Sequence, residues 1–115
     1  MSRDYNQLPK VAFSILLALS LKERHGYEII KQVHEDSNGK INLGNGALYT
    51  SIKHLLADGL ILEVSHSDDT RRRYYKLSGS GRKALTEELE YYDNVLSVAQ
   101  KRKLLHGLSS YAQAL

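Results

Sequence analysis

A chain of 115 residues suffices for one modest hydrophobic core that buries about two thirds of the unfolded surface, and it leaves little room for a second full domain. Sixteen Lys and Arg against thirteen Asp and Glu give a surplus too small to name a partner, so the placement of charge matters more than its sum. The absence of cysteine excludes disulfides and thiolate metal sites and agrees with a reducing, cytoplasmic setting.

The single proline, Pro9, opens the most apolar run, VAFSILLALSL from Val11 to Leu21. That run is short of the roughly 20 residues that span a bilayer, and Lys22-Glu23-Arg24 follows where a signal peptide would carry small residues, so neither a membrane partner nor export is expected. The spacing predicts a first helix from about Pro9 to Lys22, apolar around nearly its whole circumference and therefore buried between layers. A second helix is predicted from about Tyr27 to Glu35, with His25 before Gly26 as helix-start punctuation and the breaker string DSNGK at its end. The third begins near Asn45 or Gly46; Leu48, Ile52, Leu55 and Leu56 follow the i, i+4, i+7, i+8 pattern, and Gly59 stands at the left-handed C-terminal position.

LILEVS and RRYYKL then alternate with the period of strands, and HSDDT between them has the Ser and Asp chemistry of a hairpin loop. Tyr75 and Leu77 are expected on one face, Tyr74 and Lys76 on the other. Ser78 reads as an N-cap for a long helix from about Ser80 to Leu105. On it, Leu85, Leu89, Tyr92, Leu96 and Ala99 form a seam, widened by Ala84, Tyr91, Val95 and Val98. A face that wide exceeds what one small domain needs and predicts a homodimer.

The order helix, helix, turn, helix, hairpin is that of a winged helix-turn-helix: mainly α with a small β-hairpin, residues 1–78, plus a long C-terminal dimerisation helix and tail, residues 79–115, in one compact domain. In such a module the third helix enters the major groove, about 12 Å wide, while the hairpin reaches the flanking backbone or minor groove of double-stranded DNA. The outward positions of the third helix, Asn45, Ala47, Tyr49, Thr50, Lys53 and His54, are the candidate readers, and Arg71, Arg72 and Arg73 the candidate clamp. Amide, hydroxyl and ammonium groups suit base edges and phosphates; arginines neutralise phosphates and release counterions. Taken singly, the helix is an ordinary solvated face and the arginines an ordinary guarded edge strand. Their adjacency favours a binding surface. Asp68 and Asp69 at the hairpin tip would repel a phosphate they faced.

ILLALS in the first helix, HGYEI opening the second, GALYTSIKHLLADGLI in the third helix and strand, and RRRYYKLSGSGRKAL from wing into last helix together make the chain resemble the PadR-like family of transcriptional regulators. The resemblance covers nearly the whole chain and implies a homodimeric winged-helix repressor of the compact branch. Gly44 stands where the family usually has Ser or Thr, Ala47 where Thr is frequent, and His54 where a basic residue is common. These departures bear on which bases are read. The family's drug-binding members can use a tryptophan in the dimer cleft, and this chain has none. Phe13, Tyr91 and Tyr92 are the aromatic residues expected at a small-molecule effector pocket, against ordinary core packing as the plainer reading.

No cofactor or metal is expected: the five histidines lack helical i, i+3 or i, i+4 pairing with one another, and no cysteine assists. Nor is an enzyme expected. Gly79 and Gly81 in SGSGRK have neither the Walker spacing nor a preceding βαβ unit. The alternative from another class is a winged-helix protein–protein interaction module without DNA binding.

Overall fold

The computed structural model describes residues 8–65 and 71–105. The hairpin tip HSDDT, with His66, Asp68 and Asp69, and His106 therefore lie outside the described residues. In chain order the elements are α1 (Lys10–Ala18), β1 (Arg24–His25), α2 (Gly26–Asp36), α3 (Asn45–Ala57), β2 (Ile61–Val64), β3 (Tyr74–Leu77) and α4 (Gly79–Lys101). The chain divides into two compact units after Leu85, inside α4.

Helix α1 starts where Pro9 directs it, and the Pro9 carbonyl accepts from the Phe13 N–H. It stops four residues before the expected Lys22 because its last carbonyls are taken by other donors. The Ser20 hydroxyl donates to the Leu17 carbonyl at 2.7 Å, and the Arg24 guanidinium to that of Ala18 at 2.7 Å. Leu21, expected on a buried face, is thereby thrown outward and is 88% exposed. The helix itself behaves as its composition demands: Ile15, Leu16 and Ala18, with Leu19 just after it, are buried, and α1 packs against both α2 and α3.

The residues before α2 form a strand that periodicity over two residues could not reveal. Arg24 and His25 pair antiparallel with Tyr75 and Tyr74, giving a three-stranded sheet of order β1-β3-β2 instead of a bare hairpin. In β2, Ile61, Leu62, Glu63 and Val64 face Leu77, Lys76, Tyr75 and Tyr74. Tyr75, on the central strand, is buried and seals the sheet onto the helices, while Lys76 is exposed, as alternation requires. Burial pushes the Tyr75 hydroxyl above its ordinary range, and the Glu63 carboxylate adds to the shift.

Helix α3 buries Leu48, Ile52 and Leu55 and ends through paired backbone bonds: Gly59 N–H to the Leu56 carbonyl at 3.0 Å and Leu60 N–H to that of Leu55 at 2.9 Å. This is the Schellman closure, with Gly59 at φ +73° and the side chains of Leu55 and Leu60 both buried beside it. The hairpin returns to that point. Ser78 donates its hydroxyl to the Gly59 carbonyl at 2.6 Å, accepts from the Gly81 N–H at 2.9 Å as the N-cap of α4, and gives its own N–H to the Leu60 carbonyl. Ala84 and Leu85 complete the core of the first unit.

In the second unit, α4 continues to Lys101, short of the expected Leu105. Lys103 (φ 60°) and Leu104 donate to the carbonyls of Gln100 and Ala99 and close the helix there. Among the described residues no helix is long and apolar enough to cross a membrane.

Candidate nucleic-acid interface

The i, i+4 pattern that buries one face of α3 fixes the other. Asn45, Ala47, Tyr49, Thr50, Lys53 and His54 are all exposed, as their positions between Leu48, Ile52 and Leu55 require. The helix is capped at Gly44 without a side-chain hydrogen bond, so its first turn keeps backbone N–H groups directed outward.

Beside α3, the wing's return and the start of α2 enclose a groove of about 760 Å³ lined by His25, Gly26, Tyr27, Glu28, Lys31, Tyr49, Arg71, Arg72 and Arg73. Tyr49 reaches the groove by crossing Gly26: its ring carbon Cζ lies 3.2 Å from where a Cβ on Gly26 would stand, and its hydroxyl lies closer still. Lys31 approaches the face of Tyr27 at 6.0 Å. The three arginines are exposed but differ in setting. Arg73 lies 3.9 Å from the Glu63 carboxylate, a solvent-exposed pair that contributes little to stability, whereas Arg72 Nη1 lies 3.2 Å from His25 Nε2.

His25 is the residue whose reach the sequence did not disclose. It is 9% exposed and stands at the N-cap of α2: Nδ1 lies 3.4 Å from the Glu28 N–H, and the Glu28 carboxylate accepts from the His25 N–H at 3.1 Å. His25 before Gly26 opens α2 as the sequence predicts, and Glu28, three residues after the cap, is the local signal for it. The contact with the wing, 47 positions away, carried none. Lys31 and Tyr27 also join the groove unforeseen.

The residues expected at a dimer seam separate into two groups. Leu85 is 4% exposed and belongs to the core of its own chain. In the second unit Leu89, Tyr92 and Leu96 are 42%, 36% and 37% exposed, and Ala99 is half-buried. Tyr91 and Val95 extend that exposed apolar stripe. Of the aromatic residues assigned to an effector, Phe13 packs partly buried against the core of the first unit. Tyr91 and Tyr92 form an edge-on pair at 5.6 Å in the second, where the Tyr92 hydroxyl donates to Glu88 at 3.3 Å. Burial raises the Tyr92 hydroxyl above its ordinary range, and the Glu88 charge raises it further. Among the described residues no three His, Asp or Glu side chains stand together as metal ligands would.

A third helix with an exposed polar face, set beside a basic wing, is the arrangement of a winged helix-turn-helix of the DNA-binding class. Residues 15–87 match the transcriptional regulator PadR-like family. The fold is similar to that of a PadR family transcription regulator from Clostridium difficile, with a TM-score of 0.70, 25% identity, and coverage of 81% of this chain and 97% of that one. A transcriptional regulator from Clostridium thermocellum gives 0.68 at 26% identity over 79% and 87% of the two chains. PadR of Bacillus subtilis, solved in complex with operator DNA, gives 0.60 at 23% identity over 70% of this chain and 47% of that one. The chain belongs to the PadR-like family of transcriptional regulators, a family of regulators and not of enzymes.

Proposed function

We propose that the protein is a cytoplasmic, homodimeric repressor that binds a near-palindromic operator, reading it with α3 and clamping it with the wing. The observation that carries this reading is one groove shared by Tyr49 of α3 and Arg71, Arg72 and Arg73 of the wing. Asn45, Thr50 and Lys53 stand exposed on the same helix. Asn45 offers an amide to adenine, Thr50 a hydroxyl and methyl, and Lys53 a donor to guanine or phosphate, while Ala47 and His54 fill the face between them. The arginines serve the backbone or a narrow minor groove. That a family member from Bacillus subtilis was solved with operator DNA supports the same use of the fold.

Dimerisation through Leu89, Tyr92, Leu96 and Ala99 is supported by the apolar stripe on α4 in which Leu89, Tyr92 and Leu96 stand exposed together with Tyr91 and Val95. Two reader helices related by a two-fold axis meet major grooves about 34 to 36 Å apart, or a multiple of that, which requires a near-palindrome. Control by a small-molecule effector belongs to the same reading; a ligand shifts operator binding only if it binds two states unequally. The test is selection of bound sequences from a random duplex pool, then titration of the winner and a scrambled duplex at several salt concentrations. A palindromic winner with a steep salt slope is expected. Equal, salt-insensitive binding to both duplexes would refute the reading and leave a protein-binding module.

A further inference from the structure

We infer that His25 is a positioning residue for the wing: its Nε2 accepts from the Arg72 guanidinium and holds that cation at the start of α2, set for the DNA backbone. The inference rests on the DNA-binding reading above. An arginine side chain can only donate, so the 3.2 Å contact between Arg72 Nη1 and His25 Nε2 is a hydrogen bond when Nε2 carries a lone pair. The acceptor is well fixed. The His25 side chain is 11% exposed, its backbone is paired with Tyr74 in the sheet, and the Tyr74 ring stands edge-on to its ring at 5.3 Å.

The ring has a second duty that competes with the first. Nδ1 lies 3.4 Å from the Glu28 N–H, and accepting there also needs a lone pair. A neutral imidazole has one nitrogen that accepts and one that donates, so it cannot cap α2 and hold Arg72 at the same moment. The contact to Arg72 is the shorter, and the reciprocal bond from the His25 N–H to the Glu28 carboxylate at 3.1 Å survives in either tautomer. Nε2 also stands 3.6 Å from Glu28 Oε1, beyond hydrogen-bond reach, so the geometry assigns Nε2 to Arg72. A guanidinium carries five N–H donors in a planar fork, so donation to His25 is compatible with donation to a phosphate. Lys31, Tyr49 and Arg71 line the same groove. Holding a long side chain there beforehand removes an ordering cost from DNA binding.

Two substitutions separate the duties, since an Asn side chain reaches about as far as Nδ1 and a Gln side chain about as far as Nε2. His25→Asn keeps a good helix cap and removes the acceptor for Arg72. Operator affinity is expected to fall roughly two- to tenfold, the cost of ordering one side chain on binding, with thermal stability retained and the salt slope unchanged. His25→Gln is expected to bind as wild type, with a melting temperature below that of His25→Asn, which alone of the three supplies a side-chain cap. In an Arg72→Ala background, His25→Asn should have no further effect, because both changes remove one interaction. The opposite order, with Asn binding as wild type and Gln binding weakly, would show a helix cap only and overturn the assignment. Additive losses in the double variant overturn it as well. If Arg72→Ala weakens binding and His25→Asn does not, the positioning role alone falls. If Arg72→Ala changes neither affinity nor salt slope, the DNA-binding role of this arginine falls with it.

Discussion

Gly79 and Gly81 are two residues apart at the start of α4, yet a methyl group should have opposite effects at the two positions. A Cβ on Gly79 meets nothing within 4 Å. Gly79→Ala is therefore expected to stabilise by about 0.4–1 kcal/mol, through reduced freedom of the unfolded chain. A Cβ on Gly81 would collide with the Leu60 carbonyl oxygen and stand 2.9 Å from its carbon. The obstacle is backbone and has little room to move. The Leu60 N–H is committed to the Leu55 carbonyl, and the Leu60 carbonyl accepts from Ser78. Relief requires either opening the closure of α3 or withdrawing the first turn of α4, in the range of about 1–3 kcal/mol or more for overpacking a tight site. The intrinsic helix preference of Ala over Gly returns at most about 1 kcal/mol. A net loss of about 1–2 kcal/mol is expected, roughly 3 to 12 °C in melting temperature for a chain of this size. Thermal and urea unfolding of the two variants, followed by circular dichroism, measures the contrast. Equal stability of Gly81→Ala and Gly79→Ala would refute the claim that this glycine exists for close backbone packing.

Leu89→Asp or Leu96→Asp should yield a folded monomer by light scattering, because both side chains are exposed on the chain alone, whereas Leu85→Asp should unfold it by placing a carboxylate in the core; a dimer that persists in both exposed variants sinks the seam. Thr50→Ala and Lys53→Ala should each cost about 1–3 kcal/mol on the preferred duplex and relax preference at particular base pairs, measured by competition binding. Arg72→Ala should weaken all sequences alike and make the salt slope shallower by about one unit per lost phosphate contact; altered base preference with an intact slope makes the wing a reader. The raised Tyr75 hydroxyl is held protonated in the folded state, so its stabilising contribution is complete below the ordinary tyrosine range near pH 10 and is lost as pH rises through the folded value. Urea unfolding from pH 8 to 11 should show that alkaline loss reduced in Tyr75→Phe, and identical profiles would count against burial as its cause.

Local physical chemistry determined most of this architecture from the sequence alone. The apolar spacing of Leu48, Ile52 and Leu55 set which face of α3 turns inward, and so which residues are left for a partner. Ser78 and Gly59 marked helix boundaries because caps act over three or four residues. Tertiary structure decided what depends on distant partners. The two residues Arg24 and His25 become a strand only because Tyr74 and Tyr75 lie alongside them. Leu21 is exposed because Ser20 and Arg24 take the last carbonyls of α1. Leu85 and Leu89 are neighbours on one apolar stripe, about a turn apart, and only packing sends the first into the core and leaves the second exposed. Hydrophobic pattern reports that a face will be covered; it carries no information on what covers it, because burial depends on shape and proximity between segments that the chain order leaves far apart. The meeting of His25 with Arg72 is such a case, since neither residue's neighbours in sequence foretell it.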